Sequence, residues 1–339
     1  MVEEAEDGET LATNNVPEDT DSLWHDSHLD DLTLINTPLN FQGGKIEHSL
    51  LLWQDLSSDP WVTDTVQGKF LFSFHDLPPQ CHIPPPLHFS QKDTQALNAA
   101  MDVFIQQRVV ERATPGFSGF CSNIFPRLKR DGTARIILNL KSLNEYVEYC
   151  HFKMETLRDV LPLITHDCFL ASIDLKHAYF SVPVCREDRS WLKFPWNGVI
   201  WQFTCLPQGF SSSPRLFTKL LKVPFSHFRA LGILTTIYID DCLVIADSRE
   251  KLITDVRYIV STLDLLGFTI NLDKSELQPS HDIEFLGFVL NSTDMTIRLT
   301  QSKADKIRTL GLQLLHQRAI KIRNLAVFIG NVVAAGDSV

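Results

Sequence analysis

From about residue 90 onward, apolar side chains recur either at helical spacing or in short runs typical of strands. The first helical stripe follows Ser90 and is predicted to end before Pro115. Two strand-like runs come next, over 121–126 and 134–140, and the Asp-Gly pair at 131–132 between them is typical of a hairpin turn. The apolar positions of the helical stripe are Leu97, Met101, Phe104, Ile105 and Val109.

The middle of the chain repeats this alternation. A short apolar run that ends at Asp174 predicts a strand. Ser213 and Pro214 suit the N-cap and N1 positions of a helix, which Pro224 is expected to end or kink. Residues 235–245 then form two apolar runs around a pair of aspartates, which predicts a hairpin with both carboxylates at its tip.

The last third predicts a helix, further strands and two more helices. An apolar stripe over 252–266 is closed by Gly267, a residue typical of the position after a helix. Strands and turns are expected over 268–289, a helix from the N-cap Thr300 to about Arg318, and another over 322–333. This order of elements predicts an α+β fold in which an antiparallel sheet is backed by helices.

The N-terminal part differs in composition from the rest. Residues 1–31 are acidic and poor in large apolar side chains, so we expect a disordered tail there. Residues 32–89 regain apolar side chains between proline pairs, and we expect them to pack on the body as an extension. The formal net charge is -10, but residues 1–44 hold 11 of the 41 Asp and Glu residues and no Lys or Arg. The body behind this acidic arm is mildly basic, which permits a nucleic-acid partner without indicating one.

The cysteines and the hydropathy exclude several classes of protein. The seven cysteines show no Cys-x-x-Cys pair, so neither a zinc site nor a disulfide framework is indicated. The first residues are acidic rather than basic and then apolar, which does not fit a signal peptide. Because no apolar run approaches the roughly 18 residues of a membrane span, we expect an intracellular protein of the cytoplasm or nucleus without a membrane partner.

Three aspartates are the candidate chemistry. Asp240 and Asp241 are adjacent at the predicted hairpin tip, and Asp174 ends another apolar run. Adjacent carboxylates repel each other, so they stay ionised only where solvent, a base or a cation compensates the charge. Three carboxylates at neighbouring strand ends are the oxygen ligands that Mg²⁺ prefers, and a pair of Mg²⁺ ions suits phosphoryl or nucleotidyl transfer. The alternative is a solvated turn with no such role.

The predicted turn between the first two strands is basic. Lys129 and Arg130 precede its Asp-Gly pair, and Arg135 follows on the next strand. Such a loop can bind a triphosphate because these cations donate several hydrogen bonds at once. The alternative is a solvated hairpin tip, and Lys129 and Arg130 compete for the triphosphate role.

Taken together and in order, five motifs resemble the polymerase domain of reverse transcriptases from about residue 90 onward. Any one of them would be a weak signal, whereas the ordered set is specific. They are Asp174 with Tyr179-Phe180, then Leu206-Pro207-Gln208-Gly209-Phe210, Tyr238-Ile239-Asp240-Asp241, Leu266-Gly267-Phe268 through Lys274-Ser275, and Phe285-Leu286-Gly287-Phe288.

Finer features resemble the DIRS-type retrotransposons within that family, with Ty3/gypsy-like elements as the near alternative. They are the runs 138–144 and 151–156, Trp53 with 59–62, and 322–326.

The resemblance implies a right-hand polymerase fold with fingers, a palm that holds the antiparallel sheet, and a short helical thumb. It implies RNA-directed DNA synthesis from deoxynucleoside triphosphates on an RNA template with a DNA or RNA primer. By position, Asp174, Asp240 and Asp241 would be catalytic and would bind two Mg²⁺ ions, for which Mn²⁺ can substitute. The implied nucleotide-binding residues are Lys129, Arg135, Tyr179, Gln208 and Lys274, and the implied primer grip is Phe285, Leu286, Gly287 and Phe288.

On this interpretation, residues 90–295 form the fingers and palm and residues 296–339 a partial thumb. Tyr179 would exclude a 2′-hydroxyl sterically, Gln208 would contact the incoming nucleotide, and Lys274 would give a proton to the departing pyrophosphate. Because the thumb looks short, the alternative function is an inactive nucleic-acid-binding relic that keeps the fold and has lost synthesis.

Overall fold

The structure is a computed structural model that describes residues 41–79, 83–85, 87–113, 119–128, 133–317 and 319–336. The predicted acidic tail and the basic turn residues Lys129 and Arg130 lie outside these ranges. The helices of the described part are α1 Leu50–Leu56, α2 Pro60–Val66, α3 Gln91–Gln106, α4 Lys141–Asn144, α5 Leu157–Val160, α6 Ser213–Ala230, α7 Arg249–Leu265, α8 Gln301–Leu315 and α9 Ile322–Val333.

The described strands form four antiparallel sheets, ordered β7-β8-β4-β9, β1-β6-β5, β10-β11-β12 and β2-β3. This arrangement of antiparallel sheets and packed helices confirms the α+β prediction. The strands are β1 Val110–Arg112, β2 Ile124–Leu128, β3 Ala134–Leu138, β4 Phe169–Asp174, β5 Lys193–Trp196, β6 Val199–Phe203, β7 Leu234–Tyr238, β8 Asp241–Ala246, β9 Glu276–Ser280, β10 Asp282–Phe285, β11 Phe288–Asn291 and β12 Thr296–Leu299.

The four-stranded sheet is the core of the molecule. Strand β8 is buried from Cys242 to Ala246, so its apolar run is continuous rather than alternating. This pattern is typical of a strand that is covered on both faces. Helix α7 packs on β8 and β4, and the hairpin of β10 and β11 contributes Phe285 and Phe288 to a core cluster with Leu243 of β8.

Helix α6 differs from its prediction at both ends. Its N-cap is Ser212, one residue before the predicted cap, and Ser213 Oγ donates instead to the Pro207 carbonyl at 3.0 Å. The helix also continues through Pro224, which is buried inside it. Proline removes one backbone hydrogen bond, but the burial of Phe225 and Phe228 beyond it offsets this cost.

Helix α3 begins where predicted, with Ser90 Oγ accepting from the Asp93 amide at 3.1 Å. It ends earlier than predicted, because Arg108 takes a left-handed φ of 55° and Val110 then pairs with Phe203 in a sheet. Val109 is buried but lies outside the helix. Periodicity alone did not reveal that the last apolar residues belong to a strand.

The segment before residue 80 contacts helix α7 and the loop after it. Trp53 Nε1 donates to the Leu266 carbonyl at 3.1 Å, and the indole is fully buried. Gly267 has a φ of 93°, and a Cβ there would lie 2.8 Å from Ile46 Cα. Glycine is therefore required both for the left-handed turn and for the close approach of this segment.

Helix α8 begins at its predicted cap, where Thr300 Oγ1 accepts from the Lys303 amide at 3.4 Å, and it ends at Leu315, three residues before the predicted end. Helix α9 has the predicted bounds. Within the ranges that the structure describes, no helix combines the length and the apolar character needed to cross a membrane.

Candidate active site

Backbone pairing brings the aspartate hairpin and the Asp174 strand together at one edge of the central sheet. Asp174 is the last residue of β4 and lies opposite Asp241, the first residue of β8. The Leu175 amide also donates to the Asp240 carbonyl at 2.8 Å. The hairpin that the sequence predicts is therefore present, and its tip is fixed to the strand that carries the third carboxylate.

The turn that carries Asp240 is conformationally unusual. Ile239 has a φ of 56°, in the left-handed region that a β-branched residue seldom adopts. Such a conformation costs on the order of 1 kcal/mol or more and persists where surrounding structure enforces it. Here the pairing of Tyr238 with Asp241 closes the hairpin over only two residues, so the strain serves to hold Asp240 at the sheet edge.

Asp174 is buried, and both of its carboxylate oxygens have a partner from the loop after α7. Asn271 Nδ2 donates to Oδ1 at 2.6 Å, and Lys274 Nζ lies 3.4 Å from Oδ2. Ser275 Oγ accepts from the Asp174 amide at 2.9 Å. Lys274 was predicted as a site residue, whereas Asn271 was not, since a lone asparagine in a turn gives no sequence signal of such a contact.

The three carboxylates crowd negative charge at this edge of the sheet, and burial together with this crowding raises the pKa of two of them. Burial, together with the charges of Asp240 and Asp174, raises the pKa of Asp241 to about 6, and Lys274 acts against this rise. Burial also raises the pKa of Asp240, with a further increase from Asp174 and with Lys274 and Arg135 acting against it. The protein's own cations therefore leave part of this charge uncompensated.

The donor set fits a divalent metal in type and in backbone position. Carboxylate oxygens are the ligands Mg²⁺ prefers, and uncompensated negative charge at a sheet edge favours a cation. Among the described residues, however, no three His, Cys, Asp or Glu side chains are gathered closely enough to form a ready metal site. Asp174 instead directs its oxygens to Asn271 and Lys274.

Two of the predicted nucleotide-binding residues lie close to this edge. Tyr179 is half-buried, with its ring 5.4 Å from that of Phe217 at 81°, and burial together with Asp240 and Tyr238 raises its pKa to about 12. Arg135, on β3, is close enough to Asp240 to lower the pKa of that carboxyl. Lys129, predicted for the same function, lies outside the described residues.

Gln208 lies in a loop that is tied to β3 and α4. Gly209 has a φ of 103°, and a Cβ there would lie 2.7 Å from the Leu138 carbonyl oxygen. The Asn144 side chain donates to the Gly209 carbonyl at 2.8 Å and accepts from the Ser211 amide at 2.9 Å. Asn144 thus holds the loop at its glycine and two residues beyond it, a role that its place in the 138–144 motif did not reveal.

The predicted primer-grip residues form the turn between β10 and β11. Leu286 and Gly287 both have positive φ, 51° and 79°, as a two-residue hairpin turn requires. Phe285 and Phe288 are buried in the core, so only the two turn residues are accessible. A cavity of about 300 Å³ joins this turn to two of the three aspartates, and its lining includes Asp174, Asp241, Lys274, Leu286 and Gly287.

Asp241→Asn is expected to stabilise the metal-free protein at pH 7 by roughly 1–2 kcal/mol, allowing for partial solvent screening. The pKa of Asp241 is about 6 in the folded chain, against an ordinary value of 3.8, so the folded chain binds more protons and the unfolding free energy falls as the pH rises through this window. The asparagine side chain does not ionise, so the variant does not lose this unfolding free energy. Urea unfolding in EDTA at pH 7 and pH 4 should show a gain at pH 7 only.

The control for this substitution is Asp247→Asn, at an exposed position just after the far end of β8, where we expect a change within about 0.5 kcal/mol at both pH values. An equal gain from Asp241→Asn at pH 4 and pH 7 would show that the burial of charge is not its cause.

Comparison with known proteins identifies the domain. A family model described as "Reverse transcriptase (RNA-dependent DNA polymerase)" matches residues 128–290. The Gag-Pol polyprotein of avian reticuloendotheliosis virus is 28% identical over 190 residues, which cover 52% of this chain and 16% of that polyprotein. The Gag-Pro-Pol polyprotein of human T-cell leukemia virus 2 is 28% identical over 235 residues, which cover 65% of this chain and 16% of that polyprotein. The Tf2-3 transposon polyprotein of Schizosaccharomyces pombe is 24% identical over 179 residues, which cover 53% of this chain and 13% of that polyprotein.

The solved structures agree on the fold. The foamy viral protease-reverse transcriptase dRH in complex with double-stranded DNA has a TM-score of 0.63 at 22% identity, covering 76% of this chain and 42% of that one. The complex of the foamy viral protease-reverse transcriptase with an RNA/DNA hybrid has a TM-score of 0.60 at 22% identity. The match covers 75% of this chain and 32% of that one. The predicted right-hand polymerase fold is thereby confirmed.

Residues 128–290 thus form a reverse transcriptase domain homologous to those of retroviral and retrotransposon polyproteins. The chain spans about 16% of the length of the two retroviral polyproteins above.

Proposed function

We propose that this chain, with its reverse transcriptase domain, is an RNA-directed DNA polymerase that adds deoxynucleotides to a primer 3′-hydroxyl by two-metal nucleotidyl transfer. The observation that carries the proposal is the pairing of Asp174 with Asp241 beside Asp240, at a sheet edge that opens into a cavity shared with the Leu286–Gly287 turn. The three carboxylates provide a cluster of negative charge, and the accessible turn next to them provides a surface where the end of a nucleic-acid strand can bind.

Asp174, Asp240 and Asp241 would hold the metal ions, two Mg²⁺ or in their place Mn²⁺. When bound, such ions lower the pKa of the primer hydroxyl and stabilise the charge on the pyrophosphate leaving group. The contribution of the chain is to hold three negative side chains on rigid strand ends and a strained two-residue turn. Positioning of this kind is what electrostatic stabilisation of a phosphoryl-transfer transition state requires.

The nucleotide would bind between β3 and the sheet edge. Arg135, with Lys129 from the adjoining turn, would bind the triphosphate, and Gln208 would contact the nucleotide from the loop that Asn144 holds. Tyr179 would form the wall beneath the sugar. The edge-on packing of its half-buried ring against Phe217 supports this role, because it fixes the ring in place.

Lys274 would serve the leaving group. Its ammonium group is largely exposed and lies 3.4 Å from Asp174 Oδ2, so it faces the carboxylates while remaining free to turn toward a phosphate. A protonated amine there can give a proton to the departing pyrophosphate.

The primer strand would contact the Leu286–Gly287 turn, and the template would be RNA. The foamy viral structures, which are complexes with double-stranded DNA and with an RNA/DNA hybrid, support nucleic-acid duplexes as partners of this fold. The motifs over 138–144 and 151–156 support an origin in a DIRS-type retrotransposon, with a Ty3/gypsy-like element as the alternative.

Primer extension tests this function. The full chain is incubated with a primed RNA template, Mg²⁺ and deoxynucleoside triphosphates, and template-directed extension is measured. Extension supports the polymerase. Binding of the primed template without incorporation would overturn it and support the relic that keeps the fold without synthesis.

Lys129→Ala is expected to raise the apparent KM for the deoxynucleoside triphosphate by about 10-fold, because the variant lacks one charge-assisted hydrogen bond. The affinity for the primed template should change much less. Steady-state kinetics and a filter-binding titration measure the two quantities. Arg249→Ala, in the exposed first turn of α7, is the control. If template affinity falls while KM stays constant, the triphosphate role moves to Arg130.

A further inference from the structure

The loop Asn271–Ser275 surrounds Asp174 with contacts of two kinds. The main chain is fixed by the Asn271 amide, which donates to the Asp174 carbonyl at 2.8 Å, and by Ser275 Oγ, which accepts from the Asp174 amide at 2.9 Å. Ser275 Oγ also donates to the Asn271 carbonyl at 2.8 Å, which closes the loop on itself. These bonds are sufficient to dock the loop on the end of β4.

The Asn271 side chain makes a different contact, because its amide reaches the carboxylate and not the main chain. Nδ2 donates to Asp174 Oδ1 at 2.6 Å, a short distance typical of a hydrogen bond to an ionised group. An amide N–H can only donate, so this bond selects an orientation of the carboxylate with Oδ1 toward the loop. Oδ2 is left facing Lys274, in the cavity that the other carboxylate, Asp241, also lines.

We propose that Asn271 is a positioning residue that divides the two oxygens of Asp174, holding Oδ1 and presenting Oδ2 to the divalent cation. The inference rests on the proposed function for the identity of that cation. Without the Asn271 side-chain amide, the Asp174 carboxylate rotates freely about its Cβ–Cγ bond. The entropic cost of fixing its orientation then falls on metal binding. Partners that orient a ligand in this way are worth about 10–100-fold in metal affinity.

The neighbouring ion pair fits the same arrangement. Lys274 Nζ lies 3.4 Å from Oδ2, which is long for a hydrogen bond, and 63% of its side chain is exposed. An exposed lysine leaves its partner at little cost. A cation can therefore replace the ammonium group at Oδ2 while Asn271 keeps its bond to Oδ1.

The test is the affinity of the full chain for Mn²⁺ alone, measured by electron paramagnetic resonance without nucleotide or template. Asn271→Ala is expected to weaken Mn²⁺ binding about 10-fold or more, and Asn271→Gln, which keeps an amide one methylene further out, by less. Asp174→Asn defines the binding that depends on this carboxylate. Asn98→Ala, which loses contacts to Trp196 and Asn197 on another sheet, should leave Mn²⁺ affinity unchanged.

Unchanged Mn²⁺ affinity in a folded Asn271→Ala would overturn the inference, even if the wild-type chain extends primers. If Asn271→Ala does not fold, the same comparison is decided by Asn271→Gln. A wild-type chain that fails to extend primers, yet whose Mn²⁺ binding weakens in the Asn271 variants, would refute the polymerase and support the positioning role. In an active enzyme the Mg²⁺ concentration for half-maximal rate should also rise in Asn271→Ala.

Discussion

Replacing Asp240 with asparagine is expected to lower template-directed incorporation by about 10³-fold or more. The substitution keeps the shape of the side chain and removes one of the three negative charges that would hold the metal ions. Ile239 holds this turn in a left-handed conformation, so the side chain at position 240 should keep its place in the variant. Single-turnover primer extension at saturating nucleotide measures the loss.

The matched control is Asp247→Asn, the same exchange at an exposed position just after the other end of β8, which should keep the wild-type rate. Thermal unfolding in EDTA should show that both variants fold. An Asp240→Asn enzyme that retained more than about a tenth of the rate would remove Asp240 from the reaction and, with it, the two-metal arrangement.

Replacing Tyr179 with valine is expected to lower the preference for deoxynucleotides over ribonucleotides by about 10–10²-fold. The ring packs edge-on against Phe217, 5.4 Å away, and is half-buried beside Asp240. It therefore forms a rigid wall, and a smaller side chain opens space for a 2′-hydroxyl. The measured quantity is the ratio of kcat/KM for a deoxynucleoside triphosphate to that for its ribonucleotide.

Tyr149→Val controls for the loss of an aromatic ring, since Tyr149 is 85% exposed, and it should leave the ratio unchanged. If Tyr179→Val lowered both kcat/KM values by the same factor, the ring would support the site as a whole and would not select the sugar.

The secondary structure around the site follows from local patterns. The apolar runs on both sides of Asp240 and Asp241 predict the hairpin because runs this short are typical of buried strands and too short for core helices. Thr300, Ser90 and Gly267 mark helix ends through hydrogen bonds and backbone freedom that involve only a few neighbouring residues. The predictions failed where distant partners intervene, as at Val110, which leaves α3 to pair with Phe203.

The residues of the candidate site likewise fall into those that the sequence identifies and those that only the fold reveals. The aspartates, Tyr179 and Lys274 stand in recognisable motifs, so they can be named from the order of residues alone. The primer-grip motif also names Phe285 and Phe288, but the fold buries both and leaves the turn between them accessible. Asn144 and Asn271 carry no motif of their own, and their contacts span 65 and 97 residues of chain.

The amino-acid order by itself determined which residue types are available, where strands and helices start, and that three carboxylates follow apolar runs, because all of these depend on neighbours along the chain. Only the tertiary structure decided that Asp174 lies opposite Asp241, that Asn271 takes one of its oxygens and Lys274 the other, and that the cavity beside them reaches the Leu286–Gly287 turn. The reason is physical. Sheet register and side-chain hydrogen bonds between distant segments are set by the packing of the whole core.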